Sequence, residues 1–120
     1  MSVFHCMYNI SMNADFEVLR QKALFIKNFY KEKQKLKGKN VWTADDYMLG
    51  FVTDIGELSE LVAAKKGTRT IDDVDDKLEH ELCDCLYSII ALADEFDIDL
   101  AVTFGRNMDS LAERIKVKGR

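Results

Sequence analysis

Acidic side chains recur at every third position through one stretch of this sequence. They stand at Asp54, Glu57 and Glu60 in Asp-Ile-Gly-Glu-Leu-Ser-Glu-Leu, and again at Glu81 and Asp84 in Glu-His-Glu-Leu-Cys-Asp. Residues three apart on a helix are surface neighbours, so each such pair can grip one ligand between them. At about 100° per residue, the first run gathers Tyr47, Phe51, Ile55, Leu58, Leu61 and Val62 into an apolar stripe. Asp54 falls inside that stripe, Glu57 on its flank and Glu60 further out. The second run gathers Leu78, Leu82, Leu86, Ile89, Ala93 and Phe96, with Glu81 and Asp84 on one flank. Carboxylates that border a core repel one another and resist desolvation unless a cation or a basic partner compensates them. A hard divalent cation held by oxygen ligands, Mg²⁺ with Mn²⁺ as a substitute, is the simplest compensation.

Other chemistries fit less well. Solvated helix faces paired with Lys65, Lys66 and Lys77 account for Glu60 as readily as a functional role does, but not for a short carboxylate amid an apolar stripe. Di-iron carboxylate sites use Glu-x-x-His pairs, and the residue three before His80 is Lys77. The two histidines, His5 and His80, stand in no zinc-ligand spacing with cysteine. No Gly-x-x-x-x-Gly-Lys loop is present, so a phosphate substrate has to be held through metal.

The elements that must position these acids are helices. Proline is absent and 48% of the 120 residues are hydrophobic, in helical periodicity, which predicts an all-α protein with one domain over residues 1–120. Residues 1–12 show no clean period and read as an N-terminal arm. From Asn13 as N-cap, a first helix carries a broad apolar face through Phe16, Leu19, Ala23, Ile26 and Tyr30, widened by Leu24, Phe25 and Phe29. It runs into Lys31, Lys33, Lys35, Lys37 and Lys39, a solvated basic turn, and stops at Gly38. Thr43-Ala-Asp-Asp46 has the form of a capping box opening a second helix to about Lys66, before Gly67. A turn to about Asp75 leads to a third helix ending near Phe96, and Asp99 caps a fourth that ends near Lys116. Short connections favour antiparallel neighbours, hence a four-helix bundle-like fold.

Charge and cysteine usage bound the partners. A net charge of −4 argues against a nucleic-acid polymer. Three cysteines, two of them at Cys83 and Cys85 on opposite sides of a helix, make no disulfide scaffold, so a reducing, cytoplasmic setting is expected. The opening residues lack a leader-like pattern and no run approaches ~20 apolar residues, so a soluble protein without a membrane partner is expected.

The acidic pattern resembles that of the MazG-like, all-α nucleoside triphosphate pyrophosphohydrolases, including their dCTP and dUTP pyrophosphatase branches. Their paired acids, variable gap and Glu-x-x-Asp match Asp54-Ile-Gly-Glu57-Leu-Ser-Glu60-Leu and His80-Glu81-Leu-Cys-Asp84-Cys-Leu86. The later Leu92-Ala93-Asp94 and Ile98-Asp99-Leu100 match as well, so the resemblance spans about residues 43–114. It implies the MazG-like architecture, with the chain assembled as a homodimer or homotetramer. It further implies Mg²⁺-dependent hydrolysis of a (d)NTP to (d)NMP and pyrophosphate, with Asp54, Glu57, Glu81 and Asp84 holding the metal. Glu57 and Glu60 would act in catalysis, Glu60 as outer ligand or water-orienting base. Lys65, Arg106, Asn107 and Arg114 are the implied substrate contacts. Trp42 reads equally as a base-stacking platform or as core, whereas core packing is favoured for Phe29 and Tyr30. Asp54 is one methylene shorter than the usual glutamate, Ala64 stands where a tryptophan is common, and the last helix keeps only Met108 and Arg114 of a Lys-Met-x-x-Asn-x-x-Arg pattern. A metal-stabilised interaction or regulatory module without turnover is the alternative.

Overall fold

The computed structural model describes residues 15–118, and within them every regular element is helical. Four helices follow one another: α1 (Phe16–Leu36), α2 (Ala44–Lys65), α3 (Val74–Glu95) and α4 (Leu100–Lys118). The expected arm over residues 1–12 and the expected cap at Asn13 lie outside the described residues.

Helix boundaries follow local capping chemistry. Asp15 opens α1, its Oδ1 accepting from the Val18 N–H at 3.2 Å. Asp46 Oδ2 accepts from the Thr43 N–H at 2.8 Å and from its hydroxyl at 3.2 Å, which closes the reciprocal box read at the start of α2. At the end of α2, Gly67 takes φ +90° and Thr68 N–H returns to the Ala63 carbonyl at 3.0 Å, a turn that a Cβ would strain. Asp99 Oδ1 accepts from the Val102 N–H at 3.2 Å and so caps α4 as expected. The last helix runs to Lys118 rather than Lys116, and α3 begins at Val74.

The densest packing joins α2 to α3. Lys65 pairs with Asp75 across the turn, while Asp54 lies beside Glu81 further back, so the two helices run antiparallel as a hairpin. The buried residues of the hairpin are Tyr47 and Leu61 on α2 and Glu81, Cys85, Ser88, Ile90, Ala91 and Ala93 on α3.

Helix α1 leans on the far end of α3, held by one lysine. Lys27 Nζ donates to Asp94 Oδ2 at 2.7 Å, lies 3.1 Å from Glu95 Oε1 and sits 5.3 Å from the Tyr47 ring centroid. One side chain thus ties three helices. Helix α4 packs on α1 in a lighter interface.

One expected apolar stripe is narrower than predicted and the other is rotated from its predicted face. On α2, Ile55 and Val62 are exposed, while Tyr47, Leu58 and Leu61 point inward with Asp54 among them. On α3 the correction is larger: Leu82, Leu86, Ile89 and Phe96 are exposed, and the face meeting α2 is that of Glu81, Cys85 and Ser88. Both helices carry apolar residues on two sides, and on α3 the strongest periodicity did not mark the side that packs within the chain. Phe29 and Tyr30 are likewise exposed rather than core, meeting edge to face at 6.1 Å between centroids. Helix α1 has no buried residue, so the broad apolar face read over Phe16 to Tyr30 is not covered within the described residues.

Candidate metal centre

Asp54 and Glu57 occupy one turn of α2, and Glu81 faces them from α3. One carboxylate oxygen from each lies within 4.8 Å of the others. Ligands on opposite sides of a Mg²⁺ or Ca²⁺ ion are about 4–5 Å apart, twice the metal–oxygen distance, so these three can converge on one such ion with small rotamer adjustments.

Glu81 is the unusual member. It is 7% exposed, and its Oε1 is buried with no hydrogen-bond partner. Burial, then hydrogen bonding with Asp54, then the charges of Asp54 and Glu57 push its carboxyl up to about 7. An acid buried against two other acids, with one oxygen unsatisfied, has the electrostatic character of a cation site. Cys85 lies one turn along α3 and is also buried. Burial and the charges of Asp54, Glu81 and Asp84 push its thiol up, so it is a poor nucleophile.

The remaining acids stand apart from this trio. Asp84 is half-buried on α3, its Oδ2 3.4 Å from His80 Nε2. Glu60 is exposed one turn beyond Glu57 and pairs with Arg69 Nη1 at 3.2 Å. Among the described residues, the group of three is the convergent set, and Asp84 and Glu60 flank it.

A concavity of about 360 Å³ opens beside the trio, lined by Glu57, Glu60, Leu61, Ile71, Asp76, Lys77, His80 and Glu81. Its basic members, Lys77 and His80, were not singled out as site residues by sequence reasoning. The available signal was that Lys77 stands four residues before Glu81 and His80 four before Asp84, each pair on one side of the helix.

The sequence-predicted substrate contacts lie elsewhere in this chain. Lys65 is paired with Asp75 at the turn. Arg106, Asn107 and Arg114 are exposed on α4, which packs on α1 and lines no part of the concavity. Trp42 meets Tyr47 edge-on at 5.4 Å, its ring 3.8 Å from where a Cβ on Gly50 would stand. It lines a second concavity of about 320 Å³ with Lys27, Lys31, Tyr47, Asp94 and Glu95, and the two concavities share no lining residue. No family model, curated protein or solved structure matches the chain. No helix among the described residues is long and apolar enough to cross a membrane.

Proposed function

We propose that this protein is a Mg²⁺-dependent nucleoside triphosphate pyrophosphohydrolase of MazG-like architecture, converting a (d)NTP and water to a (d)NMP and pyrophosphate. The observation that carries this reading is the convergence of Asp54, Glu57 and Glu81 on one point, with Glu81 buried and its Oε1 unpartnered beside an open concavity. The acidic spacing that resembles the pyrophosphohydrolases selects the reaction from those open to an oxygen-ligated cation.

In this reading Asp54, Glu57 and Glu81 would hold the metal, with Asp84, 3.4 Å from His80, as the fourth carboxylate of the set. When bound, Mg²⁺ supplies charge neutralisation on the triphosphate and a lowered pKa for a water ligand. Glu60, on the concavity wall and steadied by Arg69, accepts the proton of the attacking water. The hairpin fixes the distance between the α2 and α3 carboxylates, so the pocket is assembled before substrate arrives. The substrate is a soluble nucleotide, the chain acts as a homodimer or homotetramer, and the setting is the reducing cytoplasm.

Pyrophosphate release from a panel of canonical and modified (d)NTPs, with Mg²⁺ and with a chelator, tests the proposal. Chelator-sensitive turnover of at least one nucleotide is expected. Metal binding without turnover of any member favours the interaction module, which the placement of Arg106, Asn107 and Arg114 away from the concavity supports.

A further inference from the structure

A triphosphate carries more negative charge than one divalent cation balances, so pyrophosphate departure asks for a basic group on the phosphate chain. The bases suggested by resemblance do not line the concavity. Lys65 is held by Asp75, and Arg106 and Arg114 stand on α4. The bases that do line it are Lys77 and His80. His80 is turned toward Asp84, whereas Lys77 is exposed and takes part in no ion pair among the described residues. Lys77 lies one turn before Glu81 on the same side of α3, about 6 Å along the axis. A ligand held at Glu81 on one end therefore finds an ammonium group at the distance of the next phosphate or the one after it.

Resting on the pyrophosphohydrolase reading, we propose that Lys77 is the residue that binds the pyrophosphate half of the substrate. When water adds at the α-phosphorus and the bond to the α–β bridging oxygen breaks, that oxygen keeps the electron pair. Lys77 stabilises the charge gathered on the departing pyrophosphate through hydrogen bonds from its ammonium. Glu57, Glu81 and Asp76 keep the concavity acidic, while Glu60 is countered by Arg69. Free pyrophosphate is thus repelled and enters with its cation.

Calorimetry on the full chain tests this with two probes, Mg²⁺ alone and inorganic pyrophosphate in saturating Mg²⁺. Wild-type protein is expected to bind pyrophosphate with Mg²⁺ and not with a chelator. Lys77→Ala is expected to weaken pyrophosphate by about tenfold or more, the loss typical of one charge-assisted hydrogen bond, and to leave Mg²⁺ affinity within about twofold. Lys77→Arg should recover most of the loss, and Arg106→Ala and Arg114→Ala should change nothing. Unchanged pyrophosphate affinity in Lys77→Ala, or a loss confined to the α4 variants, overturns the assignment. Failure of wild-type protein to take up Mg²⁺ overturns the pyrophosphohydrolase reading itself, whereas Mg²⁺ uptake with an indifferent Lys77→Ala overturns only the role of Lys77.

Discussion

Glu81 is where a single side chain exposes the logic of the hairpin. Its folded pKa lies above the unfolded value of about 4.5, so between those values the unfolded chain has lost a proton that the folded chain retains. Stability is then fully present below about pH 4.5 and is lost as pH rises toward 7. The full interval would be worth about 3 kcal/mol at 1.36 kcal/mol per unit, and water in the adjoining concavity screens part of it. The metal-free protein should therefore lose about 1–2 kcal/mol between pH 5 and pH 8 in urea titrations, and Glu81→Gln should flatten that slope. Added Mg²⁺ should reverse the loss at pH 8 in wild-type protein but not in the variant, because the cation replaces the proton. Equal stability of metal-free wild type at both pH values would remove the case for strain at this carboxyl.

Asp54 and Glu60 make a second comparison at the residue scale, since each lies three positions from Glu57. Asp54 is in the convergent trio and Glu60 is held by Arg69 outside it. Asp54→Asn should lower Mg²⁺ affinity by at least about tenfold, the lower end of what less direct contacts to a metal site cost, and turnover should fall with it. Glu60→Gln should reduce turnover while Mg²⁺ affinity holds. A titration in which Glu60→Gln loses metal and Asp54→Asn keeps it would move the site one helical turn along α2.

At the scale of elements, α1 is joined to the hairpin chiefly through Lys27, whose side chain is 14% exposed between Asp94 and Glu95. Lys27→Ala leaves both carboxylates without the counter-charge they share. We expect it to cost about 2 kcal/mol of stability, less than a deeply buried pair, because Asp94 remains 40% exposed. Chemical denaturation at pH 7 measures this, and a change below about 0.5 kcal/mol would show that α1 is held by other contacts. Helix boundaries were legible in the sequence because a cap is local chemistry. Thr43 with Asp46, Asp99, Gly38 and Gly67 each act within a turn of themselves. The packing face was less legible, because Leu82, Leu86 and Ile89 and the adjoining set of Glu81, Cys85 and Ser88, about 100° around the helix, both repeat with helical spacing. Hydrophobicity alone favours the wrong set. Lys27 was missed for a related reason: its partners are 67 and 68 positions away, and no local pattern points to them. The three convergent acids were legible through their spacing, whereas the pairing of Asp84 with His80 and of Glu60 with Arg69 depends on rotamers and on the turn.

For the whole molecule, the apolar surface is what calls for explanation. None of the described large side chains is fully buried, and among the described residues the buried apolar set is Tyr47, Leu61, Cys85, Ile90, Ala91 and Ala93. Meanwhile α2 exposes Met48, Val52, Ile55 and Val62, and α3 exposes Leu82, Leu86, Ile89 and Phe96, at identical successive spacings of four, three and seven. Each is between 39% and 65% exposed. Such spacing is the seam of helix against helix, and monomeric proteins rarely leave seams of this length in water. We expect at least a dimer, so that light scattering at micromolar concentration should give a mass of twice 13.8 kDa or more. Thermal midpoints should then rise with protein concentration, because assembly and folding are linked by mass action. The double substitution Leu82→Lys with Leu86→Lys separates assembly from folding. Both side chains are half-exposed in the single chain, so the change should spare helicity while lowering the mass to that of a monomer. A wild-type monomer at micromolar concentration, or a double variant of undiminished mass, would show that these two seams do not join copies of the chain.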